Sequence, residues 1–302
     1  MTLKIAPMAI VLLSGLCSGA DAQKPIVSIP LKLNKLYQYW IEARFNGSDP
    51  LSCGLDSAGG DRVYLDNDRA AKMGIKPTGT GRSAGPHDTQ MKQDSRSEAT
   101  LEVAGVKLVN QPVVLQSRPY ADYSCTIGQT VFRQYIVEVD YEAAAIRLYD
   151  PEHFRYDGPG QVLPIRMEGG SPFVTATITT PKGKSVQAKV AVDTGGGSAI
   201  AMLSKPFVET NKLTSDIEGA APEPQYGMEG QQARVLSARF GNFAVGRFEI
   251  PRPVLHFWQV QGFGGSAGPD GLLCGEFLRR FKVIFDYLNL KIILEPNAHF
   301  RD

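Results

Sequence analysis

An internal duplication is the feature that most constrains how this chain can fold. Residues 129–141 align with residues 275–287 without a gap, and their apolar and polar positions correspond. Both copies end in Asp-Tyr, and each continues into a strand-like run that ends near a proline. A repeat that covers a turn, a short helical segment and a final strand predicts two similar halves in one chain.

The beginnings of the two halves agree as well. Residues 37–55 and residues 173–192 each contain an alternating run, a turn and a second run. The first of these turns is Asn-Gly, which is the strongest short-range signal for a β-hairpin. Asp56 directly follows the first hairpin and Asp193 directly follows the second. The duplication therefore predicts one aspartate on an equivalent turn in each half.

Two carboxyl groups brought together across a pseudo-two-fold axis have a definite chemistry. They cannot both ionise cheaply, so the pair of Asp56 and Asp193 is expected to hold one proton. The ionised member can take a proton from water while the protonated member donates to a substrate carbonyl. Small residues follow each aspartate and permit close approach, and the hydroxyls of Ser57 and Thr194 are placed to tie each loop to the opposite one.

Short segments punctuated by Gly and Pro predict an all-β chain with few short helices. Brief helices are expected at residues 67–73 and 205–211 and around Phe132 and Phe277. The formal net charge is +1 and the basic residues form no block, so nothing in the composition indicates nucleic acid as a partner. No segment after the N-terminus is apolar enough to span a membrane.

The N-terminal residues 1–22 have the pattern of a signal peptide, with Lys4 before an apolar run and Ala-Asp-Ala before Gln23. We therefore expect an exported protein that is periplasmic or secreted. A turn-forming stretch after residue 155 predicts an N-terminal lobe at residues 23–155 and a C-terminal lobe at residues 156–302.

The mature chain contains Cys53, Cys125 and Cys274. Export permits disulfides, and a bridge between Cys53 and Cys125 is feasible if their two segments are neighbours in the first half. Two interpretations stay open at this point: a Cys53–Cys125 bridge, or three buried free thiols.

The motifs resemble those of the retropepsin-like and pepsin-like aspartic proteases, whose signature is a hydrophobic residue followed by Asp-Thr/Ser-Gly and a small residue. Residues 192–196 (Val-Asp-Thr-Gly-Gly) fit closely, and residues 55–59 (Leu-Asp-Ser-Ala-Gly) fit with Ala58 in place of glycine. The family also has a later Asp-Gly-Ile-Leu-Gly-like stretch, a short helix and a strand ending in Asp-Tyr. Residues 270–287 are similar, with Cys274 in place of a glycine. The resemblance spans nearly the whole mature chain.

This resemblance implies two β-barrel lobes related by pseudo-two-fold symmetry, with a cleft between them that takes an extended peptide under flap hairpins. It implies an aspartic endopeptidase with no metal or organic cofactor. A monomer is favoured, and a domain-swapped dimer is the other assembly. The implied site consists of the catalytic Asp56 and Asp193, the supporting Ser57, Ala58, Thr194 and Gly195, and the flap candidates Gly85, Tyr226, Gly227 and Gly230.

The sequence also permits other functions. Because Ala58 departs from the family pattern, a protease-like module that binds peptides without cutting them is the main alternative. Residues 264–268 match the G-x-S-x-G motif of serine hydrolases, but Pro-Asp-Gly follows where a helix is needed. The four histidines are scattered and form no metal-binding motif.

Overall fold

A computed structural model describes residues 24–83, 92–118, 124–217, 219–226, 232–259 and 269–302. The predicted signal peptide at residues 1–22 lies outside these ranges. Within them, most residues lie in strands and the helices are few and short. The prediction of an all-β chain with few short helices is confirmed. No helix in the described ranges has the length and apolar content needed to cross a bilayer.

The strands are numbered in chain order. In the first half they are β1 (Val27–Pro30), β2 (Lys32–Leu33), β3 (Tyr39–Phe45), β4 (Leu51–Leu55), β5 (Val63–Asp66), β6 (Gly79–Ser83), β7 (Lys92–Val103), β8 (Val106–Gln116), β9 (Cys125–Ile127), β10 (Ile136–Asp140) and β11 (Ala145–Tyr149). In the second half they are β12 (Gln161–Pro164), β13 (Arg166–Glu168), β14 (Ser171–Thr179), β15 (Ser185–Val192), β16 (Ala201–Leu203), β17 (Ala221–Tyr226), β18 (Gln232–Arg239), β19 (Asn242–Val245), β20 (Phe248–Pro251), β21 (Val254–Trp258), β22 (Gly271–Leu273), β23 (Phe281–Asp286) and β24 (Lys291–Pro296).

The first two helices begin where the sequence provides caps. Helix α1 (Asn67–Lys72) follows Asp66, whose carboxylate accepts hydrogen bonds from two backbone N–H groups of the first turn. Helix α2 (Lys205–Thr210) is capped by the hydroxyl of Ser204. Helix α3 is Gly275–Leu278, and a 3₁₀ helix is formed by Leu213–Asp216.

The segment around Phe132 differs from the prediction, because it forms hydrogen-bonded turns instead of a helix. The N–H of Arg133 reaches the carbonyl of Gln129, but the next N–H, that of Gln134, turns back to Val131. The i→i−4 ladder that propagates an α-helix is therefore interrupted before it can extend.

Two of the three sheets in the described residues each draw their strands from one half of the chain. In the first half the order is β2-β3-β4-β9-β5-β8-β7-β6, and β3 also pairs with β7, so that six strands close into a barrel. In the second half the order is β17-β18-β21-β16-β22-β15-β14-β19-β20, which is an open half-barrel. These two sheets form the two lobes of the all-β fold that the sequence predicts.

The third sheet joins the two lobes, and its strand order is β1-β11-β10-β23-β24-β12. The first half supplies the first three strands, and the second half supplies their equivalents in reverse order. At its centre Val137 pairs with Phe285, and Val139 pairs with Val283. The sequence alignment makes Val137 equivalent to Val283 and Val139 equivalent to Phe285. Each pair is thus converted into the other by a two-fold rotation, so a pseudo-two-fold axis passes between β10 and β23.

Aromatic side chains fill the core beneath this sheet. Phe132 stacks on Tyr287 with a centroid distance of 5.4 Å and meets Phe285 edge-on at 5.1 Å. Phe281 packs against Phe248 at 4.9 Å on the side of the second lobe. Side chains from the two halves therefore share one apolar core, which holds the lobes in a fixed relation.

Candidate active site

The Asp56 loop is held by a parallel pair of strands in the first lobe. Strand β4 ends one residue before Asp56, and it pairs in parallel with β9. The backbone N–H of Asp56 donates to the carbonyl of Ile127 at 2.8 Å and so continues this pairing. The N–H of Ala58 then donates to Asp56 Oδ1 at 2.8 Å. Backbone contacts alone therefore fix the direction of the Asp56 carboxyl group.

The same contacts recur in the second lobe. Strand β15 pairs in parallel with β22, and the N–H of Asp193 donates to the carbonyl of Leu273 at 2.9 Å. The N–H of Gly195 donates to Asp193 Oδ1 at 2.8 Å. The two aspartates thus occupy equivalent positions, as the duplication predicts.

Four hydrogen bonds cross between the two loops. The hydroxyl of Thr194 donates to the carbonyl of Leu55 at 2.9 Å, and the hydroxyl of Ser57 donates to the carbonyl of Val192 at 2.7 Å. The Thr194 hydroxyl also accepts a hydrogen bond from the N–H of Ser57 at 2.9 Å, and the Ser57 hydroxyl accepts one from the N–H of Thr194 at 3.1 Å. Because Ser57 and Thr194 are almost fully buried, these bonds are made away from water and hold the loops together.

The carboxyl groups of Asp56 and Asp193 meet at this junction, close enough for each to influence the protonation of the other. Gly195 lies against both of them: a β-carbon there would be 3.0 Å from Asp56 Oδ2 and 3.2 Å from Asp193 Oδ1. The structure therefore brings the two side chains into one site.

Burial and mutual repulsion control the protonation of this pair. Burial raises the pKa of the Asp193 carboxyl well above its usual value, and the neighbouring charge of Asp56 raises it further. Burial also raises the pKa of Asp56, although less, because the N–H of Ala58 and other donors favour its ionised form. Since the two groups titrate together, the pair is best described as holding one proton over the pH range between its two steps.

Ala58, the departure from the expected glycine, fits its place. Its backbone φ is not in the positive region, so the methyl group causes no backbone strain. Its N–H retains the hydrogen bond to Asp56, and its carbonyl accepts a hydrogen bond from the Ser171 hydroxyl at 3.2 Å. The substitution leaves the hydrogen bonding of this loop intact.

Cys274 occupies the position equivalent to Gly128. At Gly128 a β-carbon would lie 2.4 Å from the carbonyl oxygen of Gly60, so that position requires glycine. In the second lobe the Cys274 side chain is buried against Gly196, where a β-carbon would lie 2.8 Å from the sulfur. The glycine at position 196 therefore provides the space that Cys274 takes.

Three side chains that sequence reasoning missed support the loops from outside. The amide of Gln129 and the hydroxyl of Tyr287 both donate to the carbonyl of Ser57 at 3.0 Å. The amide of Gln38 donates to the carbonyl of Gly195 at 2.7 Å. Tyr287 had a signal in the repeated Asp-Tyr pair, whereas the alignment sets Gly275 against Gln129, so the duplication gives no signal for that glutamine.

The flap candidates are only partly within the described residues. Strands β6 and β7 form the stem of one antiparallel hairpin, and β17 and β18 form the stem of another. Tyr226 is the last residue of β17 and pairs with Gln232. Gly85, Gly227 and Gly230 lie outside the described residues.

The three cysteines in the described part of the chain form one disulfide and leave one thiol. Cys53 on β4 and Cys125 on β9 form a disulfide with a Cα–Cα distance of 4.6 Å, while Cys274 is a buried free cysteine. The bridge links the two parallel strands that carry the Asp56 loop.

The other sequence interpretations concern a serine hydrolase and a metal site. Asp286 accepts hydrogen bonds from Asn289, and the His299 ring contacts Asp302 at 2.9 Å, whereas Ser266 lies outside the described residues. Among the described residues, no three His, Cys, Asp or Glu side chains are grouped as metal ligands.

Comparison of the sequence with protein-family models and with curated proteins gave no match. Any functional assignment therefore depends on the geometry of the site itself.

Proposed function

We propose that this protein is an aspartic endopeptidase of the retropepsin-like and pepsin-like kind, which hydrolyses peptide bonds with a water molecule activated between Asp56 and Asp193. The observation that carries the proposal is the meeting of two carboxyl groups, the buried Asp193 and the partly buried Asp56, one from each half of a duplicated chain, across a pseudo-two-fold axis.

In this mechanism the pair begins with one proton. The ionised carboxylate takes a proton from the water as the water oxygen attacks the carbonyl carbon of the peptide, and the protonated carboxyl donates its proton to the carbonyl oxygen. The resulting tetrahedral diol collapses when the carboxyl that took the water proton passes it to the leaving nitrogen, the C–N bond breaks, and a diol hydroxyl returns its proton to the other carboxylate. No covalent bond to the enzyme forms at any stage.

The surroundings of the pair support this chemistry. The N–H groups of Ala58 and Gly195 hold one oxygen of each carboxyl group, and the hydroxyls of Ser57 and Thr194 keep the two loops at a fixed separation. The groups are therefore positioned before substrate binds, which reduces the reorganisation needed in the transition state.

The proposal is tested with purified mature protein, residues 23–302, and a mixture of unstructured peptides scanned from acid to neutral pH. We expect cleavage that is inhibited by a statin-type transition-state mimic and is lost in Asp56→Asn and in Asp193→Asn, with the fold retained. Asp61→Asn is the matched control, because Asp61 is a half-exposed carboxylate whose side chain contacts Arg62 and Arg133 at the surface. Cleavage that survives both dyad substitutions would refute the proposal.

The alternative is a module that binds extended peptides without cutting them, and Ala58 is the observation that favours it. Under the two-fold relation, the methyl group of Ala58 is equivalent to a β-carbon on Gly195. A β-carbon at Gly195 would crowd the carboxyl group of the opposite loop. Peptide binding without cleavage across the whole pH scan would select this alternative.

We also propose that the protein is exported and acts as a monomer in the periplasm or outside the cell. The Cys53–Cys125 disulfide supports an oxidising compartment. One chain supplies both aspartates, which supports a monomer over a domain-swapped dimer. Fractionation of cells and light scattering of the purified protein test these two statements.

A further inference from the structure

Arg118 is a buried cation beside the Asp56 half of the site. Its side chain is only 4% exposed. The guanidinium donates to the hydroxyl of Thr126 at 2.8 Å and to the carbonyl of Tyr64 at 3.3 Å. Thr126 precedes Ile127, whose carbonyl accepts the N–H of Asp56 at 2.8 Å. The hydrogen bonds of Arg118 therefore fix a positive charge against the strand that carries the Asp56 loop.

The described residues of the second lobe do not repeat this arrangement. The strand pairings make Leu272 the equivalent of Thr126 and Met202 the equivalent of Tyr64. Leu272 has no hydroxyl with which to accept a hydrogen bond from a guanidinium. Counted from the paired strands β8 and β21, the residue equivalent to Arg118 is Val260, which lies outside the described residues. The symmetric pair of carboxyls is thus set in unsymmetric surroundings.

Within the described ranges, few other charged or titratable groups interact with the pair. Asp56 interacts with Asp193, with Arg118 and with the phenols of Tyr39, Tyr64 and Tyr287. Asp193 interacts in addition with the thiol of Cys274. Burial raises the pKa of each phenol and of the thiol, so these groups are neutral where the carboxyls titrate.

Asp66 is the other carboxylate near Arg118, and its oxygens are already used. One accepts two N–H groups at the start of α1, and the other accepts the backbone N–H of Arg118 at 3.0 Å. Burial lowers the pKa of Arg118 to about 10, and the charges of Asp56 and Asp66 act in the opposite direction. The guanidinium therefore remains charged throughout the range in which a carboxyl pair loses its protons.

We propose that Arg118 is a positioning residue that draws the shared negative charge of the pair toward Asp56, and that it thereby sets the acid limit of the activity. This inference rests on the proposed function for its kinetic consequence, but the charge distribution itself can be measured without any substrate.

The first measurement is a ¹³C NMR titration of the aspartate carboxyls. In Asp193→Asn protein, Asp56 titrates without its partner. Adding Arg118→Gln should then raise the pKa of Asp56 by about one pH unit, because an opposite charge close to a carboxylate stabilises its ionised form. Arg118→Lys keeps a charge and should restore most of the difference.

Two matched experiments separate charge from packing. In Asp56→Asn protein, the same Arg118→Gln change should raise the pKa of Asp193 by clearly less. Thr126→Val removes the hydroxyl that holds the guanidinium but keeps the charge, so it should raise the pKa of Asp56 less than Arg118→Gln does. It also provides a test if Arg118→Gln fails to fold. Equal changes at both aspartates, or no change at Asp56, would overturn the inference.

The second measurement is the pH dependence of kcat/KM. Arg118→Gln should move the acid limb to higher pH and leave the alkaline limb nearly in place, while Arg118→Lys retains the wild-type profile. If the wild-type protein cleaves no peptide, while Arg118→Gln still raises the pKa of Asp56, the proposed function fails and the inferred charge distribution stands. If the wild-type protein cleaves peptides but Arg118→Gln does not move the acid limb, the role of Arg118 fails and the proposed function stands.

Discussion

The hydroxyl of Thr194 in the second half donates a hydrogen bond of 2.9 Å to the carbonyl oxygen of Leu55 in the first. Leu55 is the last residue of β4 and directly precedes Asp56, while Thr194 directly follows Asp193. The residue after one aspartate is therefore hydrogen-bonded to the residue before the other. Ser57 makes the reciprocal bond to Val192 at 2.7 Å. Both halves therefore determine the geometry of the aspartate pair, and removing either hydroxyl tests this.

Replacing Thr194 by Val keeps the shape of the side chain and removes its hydroxyl. The carbonyl of Leu55 and the N–H of Ser57 then lose a buried partner, which should reduce the free energy of unfolding by about 1–3 kcal/mol. Urea denaturation measures this loss. Thr194→Ser keeps the hydroxyl and is the control; a valine variant as stable as the serine variant would show that the crossing bonds contribute little.

Gly195→Ala tests the close contact at the carboxyls. Its β-carbon would lie 3.0 Å from Asp56 Oδ2, so the carboxyl must move by a few tenths of an ångström. We expect kcat to fall by about tenfold, since small displacements of reacting groups are costly. The equivalent change in the other loop, Ala58→Gly, removes a methyl and should leave kcat within a factor of a few. Equal losses in the two variants would contradict this explanation.

The Cys53–Cys125 disulfide spans 72 residues of sequence separation. Its loss in the Cys53→Ala/Cys125→Ala double variant should reduce the free energy of unfolding by about 4 kcal/mol, because the unfolded chain regains the entropy of an open loop. Thermal unfolding with and without reductant gives the same comparison on the native chain. Cys274→Ala is the control, and reductant should change its melting temperature as much as it changes that of the wild type.

The pH dependence of stability follows from Asp193. Burial and the charge of Asp56 raise the pKa of Asp193 in the folded state, so the folded protein binds this proton more tightly than the unfolded chain does. The resulting stability is present below the unfolded pKa of about 4 and is lost as pH rises through the folded value. Asp193→Asn removes this term, so its melting temperature relative to wild type should increase from acid to neutral pH. A constant difference between the two proteins would contradict the assigned direction.

Much of the fold could be predicted from the chain because the signals are local or repeated. Alternating runs and an Asn-Gly turn predict the hairpins before each aspartate, and the capping residues Asp66 and Ser204 stand before the first two helices. The gapless alignment of residues 129–141 with 275–287 makes β10 and β23 equivalent strands, and the structure adds that they pair with each other. The Phe132 segment shows the limit, since its apolar pattern resembles that of α3 while its hydrogen bonds form turns.

The sequence by itself determined that the chain is duplicated, that it is all-β, and that Asp56 and Asp193 are equivalent, because strand periodicity and a repeat are written along the chain. Only the tertiary structure decided how close the two carboxyls lie, that Cys53 and Cys125 pair, and that Arg118, Gln38 and Gln129 surround the site. Those contacts join segments that are far apart in sequence, and their energies depend on distance and burial. No local pattern of residues indicates either of these quantities.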